Sequence, residues 1–586
     1  MNKSWEILAN FRGNFIIKNF NFERATWQLI FNRGLAGAKE IEDFFEIKNK
    51  NIVLDPYLFA SMSAAVSIIV RNIKEKNKII IYGDYDADGV TACAILAEIL
   101  KTLMAEVDVY IPERVSEGYG LNNKSIDIIA EAGVKLIITV DCGIRNRSEV
   151  EYAKSKGLDI IITDHHVPPE NKNDWPACLI IDPWLPEENY PFKYLSGAGI
   201  AFKLGKAVLT KSKLTDDIKE KLEYRVLDLL GIGTVADCVS LLGENRKLVK
   251  MGLEVLNMTK RIGLAELINV AKLGFEKKID TWNISFQIAP RLNAAGRMEH
   301  ANTAYKLLVT KDKEEATVLA SKLNENNIAR QKNTEEIMLE AEKQIQNVEN
   351  DKIFIGICTI DEAKEEEVWN EGVIGLVAGK ICEKYYLPTL IITKTKDGYK
   401  GSGRSIPEFD LIKAIEESSA FLEKYGGHPA ACGFSLKNAN LENFKNKIKT
   451  IAREKLTGLK LEPKLAIEAK LDLEEITAKL VKEIKMFEPF GQNNERPKFA
   501  SYDVIILNIA NMGNDGQHIK FRIKTANSEI FTALGFGQTE KWSDLRIGDK
   551  IDIVYFIELN EFNGRSEIQL KIIDIKKHGR EGTRMI

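Results

Sequence analysis

Three aspartates at alternate positions, Asp84, Asp86 and Asp88, follow the apolar run Lys78–Tyr82. The run reads as a buried strand, and Val90–Leu103 has helical spacing, so the carboxylates are expected on a loop at the strand's carboxyl end. Open α/β sheets bind ligands at that edge. Carboxylates this close repel one another. A divalent cation taking oxygen ligands offsets the repulsion. For this stretch alone, a solvated acidic turn or a lone calcium loop is the plainer reading.

Further clusters argue against the plain reading. Asp141 follows the strand candidate Leu136–Val140, and Asp164, His165 and His166 follow Ile160–Thr163. In a parallel sheet these clusters share one edge with the first. Asp237 comes later, after a glycine-rich stretch, Gly231–Ala236, read as a turn. Taken singly, Asp141 reads as well as a helix cap, and the histidine pair as structural. Together they form a carboxylate and imidazole set without thiolate, which suits manganese or magnesium better than structural zinc. So many carboxylates favour two ions sharing a bridging aspartate. Metals about 4 Å apart are a device for in-line phosphoryl displacement.

The elements around these clusters alternate. Strand candidates Val107–Ile111 and Leu179–Ile181 join the three above, with helical patterns at Ser125–Ala132 and Ser148–Lys156 between them. This βαβ rhythm predicts a parallel sheet. Residues 243–345 read as helical, ending in the charged run Glu314–Glu349. Arg291, Arg297, Arg330 and Gln331 in this region offer forks for phosphate oxygens, or salt bridges within a helical bundle. From Asp351 to Leu456 the α/β alternation returns. There Gly401–Ser405, with Ser402 and Arg404, and Gly426-Gly427-His428 read as turns that could meet a phosphate. From Lys464 the period changes to two, with five short strands and hairpin turns at Asn514-Asp515-Gly516 and Asn563-Gly564, a pattern for a small barrel. Lys520, Phe521, Arg522, Phe531 and Phe562 are its candidates for single-strand contact, although each aromatic reads at least as well as core.

The chain has 586 residues, too many for one core, with 45% hydrophobic and 28% charged residues. With 82 basic and 85 acidic residues the net charge is −3, so any polyanion site is a local patch. The seven cysteines form no C-x-x-C pair, against a disulfide framework or a cysteine zinc site. No apolar stretch reaches the length of a membrane span, and the amino terminus lacks a secretory h-region. A cytoplasmic protein is the expectation. No G-x-x-x-x-G-K-[ST] sequence occurs, so nothing points to an ATP-driven motor.

The stretches Asp84–Gly89, Val140–Gly143, Asp164–His166 and Thr234–Asp237 resemble the four motifs of the DHH phosphoesterase superfamily. Ile111–Leu121, Ser196–Gly199, Ala289–Met298, Leu323–Gln331, Trp369–Gly375, Gly401–Ser405, Gly426–Gly433 and Glu488–Gly491 are similar to its RecJ exonuclease branch in particular. Asn370 departs from the histidine expected there. The resemblance implies an α/β fold: a parallel-sheet DHH domain (51–242), a helical connector (243–345), a smaller DHH-associated domain (346–456) and an OB-fold barrel with a short tail (457–586). Residues 1–50 are read as an extension packed on the first domain. The implied activity is 5′-to-3′ hydrolysis of single-stranded DNA to 5′-mononucleotides in recombination and repair. The alternatives are a phosphodiesterase of short oligonucleotides or cyclic dinucleotides, and a non-catalytic strand-binding protein. The implied cofactors are two divalent ions, Mn2+ or Mg2+, on Asp84, Asp86, Asp88, Asp141, His165 and Asp237, with Asp141 as the bridge. Asp164 is expected to orient a histidine, and His166 to contact the scissile phosphate. Arg114, Ser402, Arg404, Gly427 and His428 are expected to grip the 5′ end. The expected partners are single-stranded DNA, a RecQ-type helicase and a single-strand-binding protein, around a monomer with no membrane association. A closed ring of domains would exclude duplex by size.

Overall fold

Strands rich in isoleucine, with both faces covered, need helices above and below, and this chain supplies them. In a computed structural model of the protein, Ile79–Gly83, Leu136–Val140 and Asp159–Thr163 are buried almost throughout. The structure describes residues 3–11, 17, 20–45, 53–274, 278–345, 348–358, 368–562 and 565–577. The described residues fall into two units, Val53–Leu461 and a second that joins Met1–Ile52 to Glu462–Ile586.

In the first unit a five-stranded parallel sheet runs in the order Val107–Tyr110, Ile79–Gly83, Leu136–Val140, Asp159–Thr163, Leu179–Ile181. The chain starts in the second strand, steps to one side, then crosses to the other. The strand order therefore reverses beside Ile79–Gly83, and such a switch point leaves a crevice at the carboxyl ends. The helix Ala87–Thr102 leaves that crevice and is buried on nearly every side. From Val90 to Leu100 it is apolar on nearly every side except at Thr91 and Glu98, as a central core helix requires.

A second sheet in this unit has the order Lys424–His428, Ala431–Leu436, Gly398–Arg404, Thr389–Thr395, Phe354–Ile357. The 30-residue helix Lys313–Glu342 leads into it, capped by Asp312, whose carboxylate accepts from the Glu315 amide. No helix among the described residues is long and apolar enough to cross a membrane.

The other unit holds a closed five-stranded barrel, Phe499–Met512, His518–Lys524, Phe531–Gly535, Lys550–Phe562 and Arg565–Lys577. Phe499–Met512 closes it by pairing with both His518–Lys524 and Lys550–Phe562. Phe521 and Phe531 are buried in it, so these two aromatics are core rather than strand-binding groups. Lys520 and Arg522 flank Phe521, with Arg522 directed to Thr532 and Glu567. The side chain of Phe562 and the turn Asn563-Gly564 lie outside the described residues.

The amino-terminal segment belongs with this barrel, a correction to the expectation that it packs on the first domain. Ser4–Ile7 pairs in parallel with Lys464–Ile467. Arg33 bonds Glu468 at 2.9 Å, and the Thr26 hydroxyl donates to buried Glu483. Pairing between positions so far apart leaves no local sequence signal.

Candidate metal centre

Asp86 is the N-cap of Ala87–Thr102 and accepts from the amides of Asp88 (2.9 Å) and Gly89 (3.1 Å). Asp88 therefore sits in the first helical turn rather than on a loop. Gly89 does not break the helix. A Cβ there would stand 2.6 Å from the carbonyl oxygen of Asp84, so glycine lets the turn close over it. Asp88 accepts from the amides of Gly197 (2.6 Å) and Ala198 (3.0 Å), at the start of the helix Gly197–Thr210. Asn293 Oδ1 takes the Ala87 amide at 2.7 Å.

Asp141 has φ of +62°, a left-handed conformation that costs a non-glycine residue energy. It turns the carboxylate back over the sheet edge, under Gly197, where a Cβ would meet Asp141 Cβ at 2.5 Å. His165 Nε2 lies 2.9 Å from Asp141 Oδ1 and 3.5 Å from Asp237 Oδ2. Asp237 ends the helix Leu227–Ala236. The glycines before it are thus helical, not a turn. At Gly233 a Cβ would lie 2.3 Å from Thr91 Oγ1 and 2.6 Å from Asp88 Oδ1. Glycine here serves close helix packing, and that is why its sequence resembled a loop.

These side chains converge. Asp84, Asp86 and Asp141 form one cluster whose oxygens lie within 4.8 Å of one another; Asp88, His165 and Asp237 form a second; Asp141, His165 and His166 form a third. Asp141 and His165 each belong to two groupings, and of the two only Asp141, with two carboxylate oxygens, can serve two ions at once. Two buried oxygens, Asp84 Oδ1 and Asp237 Oδ2, have no hydrogen-bond partner. Buried polar atoms left without partners are rare and call for a ligand. The donor set, oxygen-rich with a neutral imidazole, fits Mn2+ or Mg2+.

The charges tell the same story. Burial, then the neighbouring aspartates, hold Asp84, Asp141 and Asp237 well above the usual carboxylate range, and Asp88 is raised to about 7. Burial and the charge of His166 lower His165 to about 4, leaving a neutral ligand at pH 7. His166 behaves oppositely. Burial works against its charge, but the bond from Nδ1 to Asp164 Oδ1 (2.7 Å) outweighs it and raises the group to about 9. Asp164 also accepts the amides of Ile144, His165 and His166, which fixes the backbone that carries both histidines. Tyr119 was not read from the sequence; its hydroxyl bonds the Asp141 carbonyl (3.1 Å) and lies 3.2 Å from His166 Nδ1.

Carboxylates with raised pKa add stability that is complete below their unfolded value and is lost as pH rises through the folded value. For Asp88 that window runs from about 4 to about 7. Metal-free protein is therefore expected to lose stability across it. Adding Mn2+ is expected to raise the melting temperature, more at pH 8 than at pH 6, because cation and proton compete. A thermal-shift titration in chelated and Mn2+ buffers at both pH values checks this.

Arg114 and Arg297 stand near enough to act on Asp84 and Asp86, Arg330 and Arg404 neighbour Arg297, and Arg291 lies earlier on the helix that carries Arg297. Arg114 lies over the Tyr85 ring (4.8 Å), and Arg297 donates to the Gly372 carbonyl (2.8 Å). Arg404 reaches Ser402 and its neighbouring carbonyl, Arg330 reaches Asn327, and Arg291 bonds Asn324 and the Gln287 carbonyl. Among the described residues none of these five pairs with a carboxylate, and Arg330 Nε is buried with no partner. Burial and the nearby Arg114 and Arg330 lower Arg297 to about 10, against the pull of Asp86. Asn370, the departure noted above, accepts the Gly372 amide and so shapes the loop that holds Arg297. Gln331 is exposed on the long helix, one residue from Arg330.

Gly401–Arg404 and Gly426–His428 lie within strands, a correction to the turn reading. A Cβ at Gly401 would enter the Phe434 ring at 2.1 Å, and one at Gly427 would meet the Ala431 carbonyl at 2.2 Å. The glycines admit close strand neighbours. Arg404, Ala431 and His428 stand in one cross-strand row, so Arg404 and His428 share a face about 10 Å apart. Asp182 was also missed: buried beside Asp164, with one unpartnered oxygen, it is raised to about 8 by burial and that neighbour.

Comparison with known proteins agrees with this geometry. Residues 78–234 match the model of the DHH family N-terminal domain, residues 350–454 the DHHA1 domain, and residues 467–574 the RecJ OB domain. The chain is 37% identical to the single-stranded-DNA-specific exonuclease RecJ of Bacillus subtilis over 93% of its length and 67% of that protein. It is 30% identical to the RecJ of Escherichia coli over 94% of its length and 95% of that protein. The chain belongs to the RecJ family. The crystal structure of RecJ from Thermus thermophilus with Mn2+ superposes with a TM-score of 0.82 at 25% identity, covering 98% of this chain and 79% of that one. As a RecJ family member with a DHH domain, the chain is a hydrolytic nuclease.

Proposed function

We propose that the chain is a metal-dependent exonuclease that degrades single-stranded DNA from the 5′ end, releases 5′-mononucleotides, and serves recombination and repair. One observation carries this reading: an aspartate cluster faces arginines that have no carboxylate partners, within one unit. Repelling carboxylates and repelling guanidiniums each lack a counter-charge. A phosphodiester with divalent cations supplies both.

Asp84, Asp86, Asp88, Asp141, His165 and Asp237 would hold two Mn2+ or Mg2+ ions, with Asp141 common to both. Bound there, divalent ions offset phosphate charge and make water a competent nucleophile near neutral pH. The protein's own groups do the rest. Asp164 keeps His166 charged and aimed, so that Nε2 can donate to a nonbridging phosphate oxygen. Arg114, Arg297, Ser402, Arg404 and His428 grip the 5′-terminal phosphate and its neighbours, with Gly427 allowing close approach. Arg291, Arg330 and Gln331 hold the strand that follows. The barrel carries the remaining strand, consistent with the RecJ OB match. In this division 51–242 is catalytic, 243–345 connects, 346–456 binds substrate and 457–586 binds nucleic acid. A RecQ-type helicase and a single-strand-binding protein would supply and protect the substrate of a monomeric cytoplasmic enzyme.

The test uses one oligonucleotide, labelled at either end, single-stranded or blunt duplex, with Mn2+ or chelator. Immediate release of labelled mononucleotide from the 5′-labelled single strand is expected, with a shortening ladder from the 3′ label. Duplex and chelated reactions stay silent. Turnover of only the shortest fragments would replace this reading with an oligonucleotidase.

A further inference from the structure

Two large aromatic rings stand in solvent on the helical rod that leads into the metal centre. Trp282 is 55% exposed and Phe286 63% exposed, and their rings lie 5.3 Å apart at 33°. Single exposed apolar residues are ordinary. A paired aromatic face, four positions apart on one side of a helix, is a built surface.

The rod beneath them is held stiffly. Thr281–Asn283 starts it, with Asp280 and Asn283 bonded reciprocally in a capping box. Asn283 donates to Gln287 Oε1 at 2.8 Å, the Gln287 carbonyl accepts Arg291 Nη1 at 2.6 Å, and Arg291 Nε reaches Asn324 at 3.0 Å. Ile284–Ile288 is a π-helical turn. Pro290 explains it: without an N–H, and with a ring that crowds the carbonyl of residue 286, it forces the turn to widen. One residue further on, the Gln287 carbonyl is taken by the Arg291 side chain. At its far end the rod, as Ala289–Met298, meets the metal loop. Asn293 takes the Ala87 amide, and a Cβ at Gly296 would lie 2.8 Å from the Tyr85 carbonyl. Arg297, in the phosphate-facing group, is on the last turn.

We propose that Trp282 and Phe286 form a nucleobase-stacking platform for single-stranded DNA, on the same rod as the phosphate grip and to the 3′ side of the nucleotide held in the catalytic centre. The inference rests on the single-strand reading above and adds a site to it. Trp282 and Arg297 are fifteen positions apart. At about 1.5 Å per residue the platform stands on the order of 20 Å from the phosphate grip. That is roughly six nucleotides at about 3.4 Å each when stacked. Stacking needs no particular base, which suits an enzyme that consumes any sequence. Arg291, midway and without a carboxylate, marks a path for the backbone between the two ends.

The test measures binding of 5′-phosphorylated strands by anisotropy in chelator, so that nothing is cut. Trp282→Ala is expected to weaken a 20-mer about tenfold, from base–aromatic stacking, and to leave a trimer unchanged. Trp282→Phe retains most of the affinity. A single abasic position, moved along the 20-mer, is expected to cost the parent about tenfold within a window roughly five to eight nucleotides from the 5′ end, and Trp282→Ala less than twofold there. An abasic profile identical in parent and variant, or 20-mer binding unchanged in Trp282→Ala, would overturn the platform while leaving the nuclease reading intact. A parent that neither binds the 20-mer nor cuts it with Mn2+ would overturn both.

Discussion

Asp141→Asn is expected to lower single-strand hydrolysis by about a thousandfold, while the metal-free protein folds as well as the parent. The first half follows from the position. Asp141 clusters with Asp84 and Asp86 and lies 2.9 Å from His165, a ligand of the other site, so losing its charge weakens both ion sites together. Several kcal/mol of charge stabilisation are at stake, and each ~1.4 kcal/mol is tenfold in rate. The second half follows from the backbone and from burial. Asparagine adopts the left-handed conformation at φ +62° more readily than most residues. It also removes a buried carboxylate that Asp88, Asp86 and Asp237 repel. Without metal, Asp141→Asn should therefore melt at the parent's temperature or above it. With Mn2+ it should gain little. Parallel activity assays and thermal shifts, each with and without Mn2+, separate these outcomes. A variant that keeps parental activity removes Asp141 from the centre.

Asp164→Ala is expected to damage fold and function together. Its carboxylate is fully buried and accepts three backbone amides besides His166. Alanine strands those donors, at about 1–3 kcal/mol for each that stays buried, so a loss of about 3–5 kcal/mol is expected. The pH dependence has a definite sign. Asp164 is lowered, because His166 outweighs the cost of burial, so its contribution is present above the unfolded value and fades as pH falls. His166 is raised to about 9, so its contribution is complete below its unfolded value near 6.5 and fades as pH rises through 9. The pair stabilises most between about pH 4 and 6.5. Denaturant unfolding of parent and variant should therefore differ most there, and the difference should narrow toward pH 9 to the part owed to the three amides. A difference independent of pH would show that the pair is not charged as described.

Much of the centre was legible because carboxylates and imidazoles announce themselves. The strand ahead of each cluster was visible as a run of isoleucines, and the parallel order placed Asp84, Asp141 and His165 at one edge. What escaped was chemistry carried by the backbone and by neutral side chains. The Gly197 and Ala198 amides hold Asp88, yet an amide has no sequence signature. Asn293 and Tyr119 lie within stretches that resemble RecJ, and their residue types do not mark them as supports. Glycine was the main source of error. Gly233, Gly401 and Gly427 read as turn formers because glycine permits turns. Each is instead a place where another chain segment comes too close for a Cβ. The amino-terminal strand was misplaced because its partner, Lys464–Ile467, lies at the other end of the chain. The aromatics singled out in the barrel proved to be core, while the exposed pair Trp282 and Phe286 drew no notice in a stretch read only as helical.

The central claim is a centre that holds two divalent ions across Asp141. Anomalous diffraction from crystals grown with Mn2+ tests it most directly. Two peaks about 4 Å apart are expected, one beside Asp84 and Asp86, the other beside Asp88, His165 and Asp237, with Asp141 touching both. A single peak that Asp141 does not reach, or manganese bound away from this sheet edge, would contradict the account.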